Sequence, residues 1–460
     1  MATRKEVDPL GERKIPSDAY FGIQTLRATE NFPVSGIKAP RPFICAYAYV
    51  KKAAATANMQ LGCLDEKKAK AIITACDEVL AGKLIDQFVV DVFQAGAGTS
   101  FNMNVNEVLA NRALELLGGV KGDYKTVSPN DHVNMGQSTN DTFPTAIHVS
   151  VLMALQPLLS ALDELAGAFD ELGKKYSHVL KSGRTHLQDA MPLTIGQEFT
   201  AYGSAVANVC SELRRRQENL YAVALGGTAV GTGANAHPKY KRLVVAELAK
   251  LTGFPLKPAT DNFEALQSQR AAQSVSSGLK ELALELIRIA NDLRLLASGP
   301  TTGLNEIVLP PVQPGSSIMP GKVNPVMAEC LDMVAFQVVG NDATVSLAVQ
   351  AGQMELNVMM PLIMFDMLFS IEILSNFIPV FTKRCVQGIT VNEEQASQYL
   401  EKNPSLATLL SPYIGYLEAA KIAKQAQAEN RSVKEIALER KLLKPEEIEK
   451  IFTRKNLLNE

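Results

Sequence analysis

The segment from Gly315 to Pro325, GSSIMPGKVNP, holds the residues of this sequence with the clearest capacity for chemistry. Its glycines and prolines predict a shaped loop rather than a helix. Asn324 is the predicted N-cap of the apolar run that follows, with the next proline as the first helical residue. A loop that ends at a helix N-terminus gathers free N–H groups and favours an anion such as a carboxylate, and Lys322 adds to this preference. Because Ser316 and Ser317 could exchange protons, the loop indicates an enzyme.

A nucleotide phosphate-binding loop is the main competing interpretation of this segment. That motif places Ser or Thr directly after its lysine and has a shorter spacing between its glycines. Here five residues separate Gly315 from Gly321, and Val323 follows Lys322, so the magnesium-binding hydroxyl is missing. On the residues alone, Asn324 also fits a purely structural role as a helix cap, and the serines fit ordinary turn positions.

Three other polar segments carry hydroxyl, amide or imidazole groups between apolar helical runs. They are AGAGTSFNMNVN with Thr99, VSPNDHVNMGQSTNDTFPT with Ser138, Thr139 and Asn140, and GRTHLQDAMP with Thr185 and His186. Each of these side chains has an ordinary alternative role as a cap, a turn residue or a buried histidine. Taken together they would suit a ligand with two negative charges. A catalytically idle helical scaffold, the third alternative, would not require such groups in glycine-rich loops.

The composition excludes several classes of function. Lys plus Arg number 46 and Asp plus Glu number 48, so no basic surface for nucleic acid is predicted. Six scattered cysteines without a C-x-x-C pair indicate reduced thiols of a cytoplasmic protein. No spacing resembles a metal site, and the charged N-terminus lacks the apolar core of a signal peptide. The most apolar stretch, Leu356 to Phe381, is broken by charged residues and prolines, which favours a buried core helix over a membrane span.

Leucine periodicity predicts the long helices that must position these loops. Apolar residues from Leu155 to Leu172, and again from Leu279 to Leu296, recur in steps of three and four. Such seams indicate helices packed lengthwise in a bundle. A helical pattern also covers Phe43 to Leu84, apart from Gly62. Strands are predicted to be few, because no stretch alternates regularly.

The sequence therefore predicts a mostly α-helical chain with a long central helix bundle. The first 40 or so residues are predicted to be irregular, because glycines and prolines interrupt every period. Near Asn392 the composition shifts to Glu, Lys and Gln with short helices. The predicted domains are residues 1–140, mainly helical, residues 141–391, the bundle, and residues 392–460, a small helical C-terminal domain.

Whole segments of the sequence resemble the fumarase/aspartase superfamily. GSSIMPGKVNP is similar to the signature loop of that family, and this motif is highly specific. AGAGTSFNMNVNEV, HVNMGQSTNDTFPTA, GRTHLQDAMPLTIGQEF and LGGTAVGTG resemble its other conserved segments, in the same order and over nearly the whole chain. The resemblance implies a mostly helical, three-domain subunit whose central helices form a twenty-helix core in a homotetramer. It also implies active sites built from loops of three different subunits.

The resemblance further implies anti elimination from a dicarboxylate with a succinyl skeleton, which releases fumarate and needs no cofactor or metal. The two residues assigned to catalysis are Ser316, as the general base, and His186, beside the leaving group. An aci-carboxylate intermediate would have to be stabilised. The resemblance assigns one substrate carboxylate to Thr99, Ser138, Thr139 and Ser317, the other to Lys322 and Asn324, and the surroundings of the leaving group to Asn140, Thr185 and His186.

Two branches of the family differ in the leaving group. The segments Ser138–Asp141 and Thr185–Gln188 resemble the branch that deaminates L-aspartate, as do RATENFPVSG and GKVNPVMAE. LGGTAVGTG and DNFEALQSQ instead resemble class II fumarases, which dehydrate malate, and Met360 departs from the pattern of both. We expect deamination of aspartate, with malate as the alternative.

The glycines of the signature segment also suggest movement. Gly303, Gly315 and Gly321 would permit hinging. We therefore expect residues 307–321 to be mobile and to become ordered over bound substrate.

Overall fold

Long α-helices form most of the protein in a computed structural model, which describes residues 2–459. The helices are α1 (Ile23–Asn31), α2 (Arg41–Gln60), α3 (Glu66–Leu80), α4 (Thr99–Leu116), α5 (Thr139–Lys175), α6 (Ile195–Gln217), α7 (Tyr240–Thr252), α8 (Asn262–Gln267), α9 (Arg270–Leu296), α10 (Val326–Gln350), α11 (Met360–Arg384), α12 (Glu393–Glu401), α13 (Ser411–Ile414), α14 (Tyr416–Glu429), α15 (Val433–Arg440), α16 (Pro445–Ile451) and α17 (Arg454–Leu458). The predicted fold class, mostly α with a few strands, is confirmed.

The strands are short and occur in separate two-stranded sheets. They are β1 (Thr3–Asp8), β2 (Gly11–Pro16), β3 (Leu180–Thr185), β4 (Gln188–Thr194), β5 (Ala222–Val223), β6 (Lys257–Pro258), β7 (Ile307–Val308) and β8 (Thr390–Val391). Sheets β1–β2, β3–β4 and β7–β8 are antiparallel, and β5–β6 is parallel. A strand of two residues is too short to show an alternating pattern. Sequence periodicity therefore does not reveal the four two-residue strands, β5 to β8.

The contacts that residues make in space divide the chain into two compact units. The first comprises the chain up to Leu159, Ser211–Ala283 and Phe336–Ser375, and the second comprises Ser160–Cys210, Leu284–Ala335 and the chain from Asn376 onward. The boundary falls within each of the five longest helices, α5, α6, α9, α10 and α11. The three domains proposed from the sequence remain a prediction.

An aromatic cluster in the first unit positions the start of α4 and α5. Phe43 and Tyr47 of α2 pack against Phe101 and Phe143, with ring centroids 4.9 to 5.9 Å apart. Gly98, just before α4, has a φ of +91°, and a Cβ atom there would lie 2.1 Å from the ring of Phe143. Only glycine permits this close approach and this backbone conformation. The loop before α4 is therefore pinned against the start of α5.

The second unit contains a separate apolar cluster near the C-terminus. Its buried residues extend from Leu406 to Ile451 and include Leu410, Ile422 and Ile436. The part of the α9 seam in this unit, up to Leu296, is also buried.

The prediction of an irregular N-terminal segment is wrong. Strands β1 and β2 pair in register from Thr3↔Pro16 to Asp8↔Gly11. The amide of Leu10 donates a 2.9 Å hydrogen bond to Oδ1 of Asp8, and Gly11 has a φ of +110°. The proline and glycine in this segment therefore form the turn of a hairpin rather than disrupt order.

Two helical stretches, Thr139–Lys175 and Met360–Gly388, are long and apolar enough to cross a membrane by length and composition alone. Within the structure, 72% and 50% of their most apolar windows are buried, respectively. The larger part of the α5 window and half of the α11 window therefore pack inside the fold. Ile363 and Leu374 of α11, for example, are fully buried, which agrees with the core helix predicted for this stretch.

Candidate active site

Ser138, Thr139 and Asn140 form the N-terminal turn of α5 in the first unit. Oγ of Ser138 accepts a hydrogen bond of 3.2 Å from the amide of Asn140, and the amide of Ser138 donates 3.0 Å to Oδ1 of Asp141. This reciprocal arrangement caps the helix with side chains from both sides of its first turn. The three predicted residues are therefore held at the positive end of a 37-residue helix, where negative charge is favoured.

Asp141 ties this turn to the glycine-rich bend at residues 226–233. Its second oxygen accepts hydrogen bonds from the amides of Gly226, at 3.0 Å, and Thr228, at 2.9 Å. Burial raises the pKa of Asp141 to about 6, against the lowering effect of its backbone donors. Nδ2 of Asn140 donates 2.7 Å to the carbonyl of Ala229. This contact leaves Oδ1 of Asn140 as the atom that can accept a further hydrogen bond.

A buried lysine is linked to the same turn through hydrogen bonds to side-chain amides. Nζ of Lys51 donates to side-chain oxygens of Asn102 at 2.8 Å, Asn134 at 2.9 Å and Gln137 at 2.9 Å. Nδ2 of Asn102 in turn donates 3.0 Å to Oγ1 of Thr139. Because that oxygen accepts from Asn102, the hydroxyl hydrogen of Thr139 remains available to another acceptor.

Sequence reasoning did not identify Lys51. Burial lowers its pKa to about 7, while the charge of Asp141 acts in the opposite direction. Lys51 and Lys52 are adjacent in an alanine-rich helix, and only the helical period distinguishes them. Lys51 lies four residues after the buried Tyr47, on the apolar face, whereas Lys52 forms an ion pair with Asp77.

Thr99 is exposed at the start of α4, in the same unit. Its hydroxyl donates a hydrogen bond of 2.6 Å to the carbonyl of Gly96. Asn102, one turn further along α4, makes the contact with Thr139 described above. The structure thus links the helix that begins at Thr99 directly to the turn that carries Thr139.

Thr185 and His186 lie at the tip of the β3–β4 hairpin in the second unit. Thr185 pairs with Gln188, and the two residues between them have φ values of +53° at His186 and +62° at Leu187. Two consecutive positive φ angles define a type I′ turn, which normally uses Asn and Gly. The sequence pattern indicates only an interruption between helices here, whereas the structure has a hairpin with exposed Thr185 and His186.

The signature loop of the second unit is closed by contacts between its two ends. The amide of Gly315 donates 2.8 Å to the carbonyl of Lys322, and Nδ2 of Asn324 donates 2.7 Å to the carbonyl of Gly315. A Cβ atom at Gly315 would lie 2.5 Å from the oxygen of Lys322. The predicted N-cap role of Asn324 is wrong, because its side chain closes the loop and α10 begins at Val326.

Ser316 lies inside this closed loop with its oxygen facing backbone donors. Its Oγ atom accepts hydrogen bonds from the amides of Ile318, at 3.2 Å, and Met319, at 3.1 Å. Donors directed at an oxygen favour its charged form. Ser317 and Lys322 are exposed, and the ammonium of Lys322 makes no hydrogen bond or ion pair within residues 2–459. The loop therefore offers a stabilised serine oxygen and a lysine available to an anion.

The predicted site residues thus form two groups, one in each unit. The first unit contains Thr99, Ser138, Thr139 and Asn140, and the second contains Thr185, His186, Ser316, Ser317, Lys322 and Asn324. In the described part of the chain, no three His, Cys, Asp or Glu residues are grouped so as to hold a metal ion. All six cysteines are free thiols.

Comparisons with known proteins identify relatives of the chain. A family described as "Lyase" matches residues 11–340, and one described as "Fumarase C C-terminus" matches residues 406–459. An aspartate ammonia-lyase of Bacillus subtilis (strain 168) is 51% identical, over 98% of this chain and 94% of its own length. A class II fumarate hydratase of Thermosynechococcus vestitus is 48% identical, over 97% and 96%.

The fold also matches a solved structure closely. The crystal structure of a Brucella melitensis protein described as fumarate lyase:delta crystallin has a TM-score of 0.95 and 48% sequence identity, and the match covers 98% of each chain. The likeness extends over nearly the whole chain in sequence and in structure. The chain therefore belongs to the fumarase/aspartase superfamily of lyases.

Proposed function

We propose that this protein is an aspartate ammonia-lyase, which converts L-aspartate reversibly to fumarate and ammonia. The observation that carries the proposal is the closed loop in which Ser316 Oγ receives two backbone N–H groups. A base at this position is what elimination from a dicarboxylate requires. The 51% identity to the Bacillus subtilis aspartate ammonia-lyase supports the same substrate.

In the proposed reaction Ser316 removes a proton from Cβ of aspartate. Ser316 acts in its alkoxide form, which takes the Cβ proton and becomes a hydroxyl. An alkoxide is costly in water, and the amides of Ile318 and Met319 lower that cost by donating to the charged oxygen before the proton is transferred. Lys322 contributes positive charge from the same loop. No cofactor or metal takes part in the proposed step.

Removal of the proton places a second negative charge on the neighbouring carboxylate. We assign this aci-carboxylate to Thr99, Ser138, Thr139 and Ser317. The N-terminus of α5 provides a positive dipole for it, and the free hydroxyl hydrogen of Thr139 provides a donor. Lys322 and Asn324 bind the other carboxylate. Stabilisation of charge that appears only during the reaction is what accelerates it.

Collapse of the intermediate breaks the Cα–N bond and releases ammonia. Asn140, Thr185 and His186 surround this leaving group in the proposal. Because Nδ2 of Asn140 is held by the carbonyl of Ala229, its Oδ1 atom faces the ligand as an acceptor. A hydrogen-bond acceptor suits the ammonium group of aspartate, which has three N–H donors.

A class II fumarase, acting on malate, is the second candidate. The segments LGGTAVGTG and DNFEALQSQ favour it, and so does the 48% identity to the Thermosynechococcus vestitus enzyme. Met360, which departs from both patterns, is fully buried at the start of α11. The choice between the two substrates rests on a few contacts to the leaving group.

We further propose that the protein acts as a cytoplasmic homotetramer. Each active site would combine loops from three subunits, so that the two groups of site residues come from different copies. Large apolar side chains exposed on α10, such as Met333, Phe336 and Leu347, support burial of this helix in an assembly. The six free thiols suit a reducing compartment.

A direct comparison of the two substrates tests the function. Fumarate formation is followed by its ultraviolet absorbance, with L-aspartate or L-malate supplied separately to the purified tetramer. Turnover of aspartate that greatly exceeds that of malate supports the proposal. The reverse preference would establish the fumarase alternative, and turnover of neither would remove both.

A further inference from the structure

Four charged side chains, two buried and two partly buried, form a cluster in the β3–β4 hairpin region, and the proposed chemistry uses none of them. Nζ of Lys181 lies 3.1 and 2.8 Å from the carboxylate oxygens of Glu198, and 3.1 Å from Glu306. Arg184 makes a two-point ion pair with Glu306, at 2.8 and 3.2 Å. Glu306 is fully buried, and the side chain of Lys181 is 2% exposed. We refer to these four residues as the hairpin cluster.

The hairpin cluster adjoins a strained turn. Arg184 directly precedes Thr185, and the next two residues both have positive φ angles without being glycine or asparagine. Such a conformation persists only where the surrounding structure enforces it. Leu187 at the tip is 71% exposed, so its own packing within the described chain does not supply that constraint. Strand β3, which ends at Thr185, must provide it.

Arg184 is well placed to do so. The hairpin register shifts between Ser182 and Arg184, and a Cβ atom at the intervening Gly183 would lie 2.4 Å from the carbonyl of Met191. The strand is therefore bent and closely packed just before the turn. A two-point pair with a carboxylate fixes the direction of an arginine as well as its position.

Glu306, the partner of Arg184, is itself fixed through its backbone. Its amide donates 3.0 Å to the carbonyl of Leu296 at the end of α9, and its carbonyl accepts 2.9 Å from the amide of Asn392. Strand β7 follows immediately and pairs with β8. Ser316 lies ten residues further along the chain. The buried carboxylate of Glu306 thus contacts the hairpin that carries Thr185 and His186. The backbone of Glu306 is fixed at the start of the segment that leads to the signature loop.

We propose that Glu306 is a positioning residue for the elimination. Through Arg184 it holds Thr185 and His186 in place beside the leaving group, without touching the substrate itself. This inference rests on the proposed function for the roles of Thr185 and His186. Removal of the Glu306 charge leaves the buried Lys181 and the partly buried Arg184 with one fewer partner and releases the hairpin. A shift of about 1 Å in a positioned group is enough to lower turnover about 100-fold.

The test compares Glu306→Gln with Glu198→Gln in the full-length protein. Both changes remove one carboxylate charge next to Lys181, but only Glu306 is bonded to Arg184. We expect kcat to fall about 100-fold in Glu306→Gln and to change only a few-fold in Glu198→Gln. If Glu306→Gln does not fold, Arg184→Lys serves instead, because it keeps the charge but loses the two-point geometry.

Inhibition by succinate separates positioning from general damage. Succinate has both carboxylates but no leaving group, so it reports the carboxylate sites alone. We expect its inhibition constant to stay within a few-fold of wild type in Glu306→Gln. A kcat equal to wild type would overturn the inference, and so would a loss of succinate binding as large as the loss of kcat.

Hydrogen exchange provides a readout that does not depend on activity. Amides of residues 183–190 should exchange faster in Glu306→Gln than in wild type or Glu198→Gln. Unchanged exchange would overturn the inference even if the wild-type protein turned over malate rather than aspartate, or neither. Failure of the proposed function and failure of this inference are thereby distinguished.

Discussion

The buried ammonium of Lys51 donates a hydrogen bond of 2.8 Å to Oδ1 of Asn102. The amide nitrogen of Asn102 then donates 3.0 Å to Oγ1 of Thr139, at the first turn of α5. A charged group with no exposure therefore determines how a predicted substrate-binding hydroxyl is oriented. Because Lys51 lies behind the site rather than in it, its contribution is best measured through stability.

Replacement of Lys51 by methionine should change how stability depends on pH. Burial lowers the pKa of Lys51 in the folded protein to about 7, from 10.5 when it is exposed. Between these two values the unfolded chain binds more protons, so the free energy of unfolding of the wild type rises with pH. Below pH 7 Lys51 is protonated in both the folded and the unfolded state, so its contribution to the free energy of unfolding does not change with pH. The Lys51→Met variant should lack the rise, as measured by urea denaturation from pH 6 to about 10.

Lys52→Met is the matched control for this measurement. Lys52 is the next residue on the same helix, and it forms an ion pair with Asp77 near the surface. The free energy of unfolding of Lys52→Met should depend on pH in the same way as that of the wild type. Parallel curves for Lys51→Met and wild type would contradict the lowered pKa.

Replacement of Ser316 by alanine should abolish most of the turnover. The change removes the proposed base and the acceptor of the Ile318 and Met319 amides. We expect kcat to fall by about 10² to 10⁴-fold, the usual contribution of a general base. Ser317→Ala is the comparison, because it removes one of four proposed contacts to the aci-carboxylate and should lower kcat less than Ser316→Ala does. Near-normal kcat in Ser316→Ala, measured by fumarate absorbance, would exclude Ser316 as the base.

Replacement of Lys322 by methionine should act mainly on substrate binding. Its ammonium is exposed and makes no hydrogen bond or ion pair within the described residues, so its loss leaves no buried group unpaired. A charge-assisted hydrogen bond contributes about 1.5–3 kcal/mol, so we expect KM to rise about 10- to 100-fold. Lys421→Met, which removes an exposed lysine paired with Glu418, should leave KM unchanged. An unaltered KM in Lys322→Met would count against the assignment.

Bound dicarboxylate should protect the signature loop from trypsin. Ile318 is 83% exposed and Met319 is 49% exposed, and the bond after Lys322 is a trypsin site within the same loop. If residues 307–321 become ordered over the ligand, cleavage there slows when succinate is added. Cleavage after the exposed Lys455 serves as the internal control. Equal rates at Lys322 with and without succinate would contradict loop closure.

Much of the fold could be predicted from local pattern. The leucine steps from Leu155 to Leu172 and from Leu279 to Leu296 correspond to α5 and α9, because helical periodicity is a property of neighbouring residues. The N-terminal hairpin could not be identified in this way. Its proline and glycine signal a turn, but whether strands flank a turn depends on what they pair with.

The candidate site was predictable only in part. Ser316 and Lys322 belong to a specific motif, so the sequence shows both their identity and their spacing. The backbone donors to Ser316 are not visible, because every residue except proline has an N–H group like those of Ile318 and Met319. The His186–Leu187 turn was missed because its two residues lack the Asn-Gly signature that such a turn normally has.

The sequence by itself determined the family, the helical class and the identity of the polar side chains offered for catalysis. Only the tertiary structure decided which charged residues support them. Lys51 and Lys52 look alike in sequence, and Glu306 resembles any other glutamate before a short strand. Packing buries Lys51 against three amides and Glu306 against Arg184 and Lys181. The physical reason is that burial and pairing depend on residues distant in the chain, which no local pattern encodes.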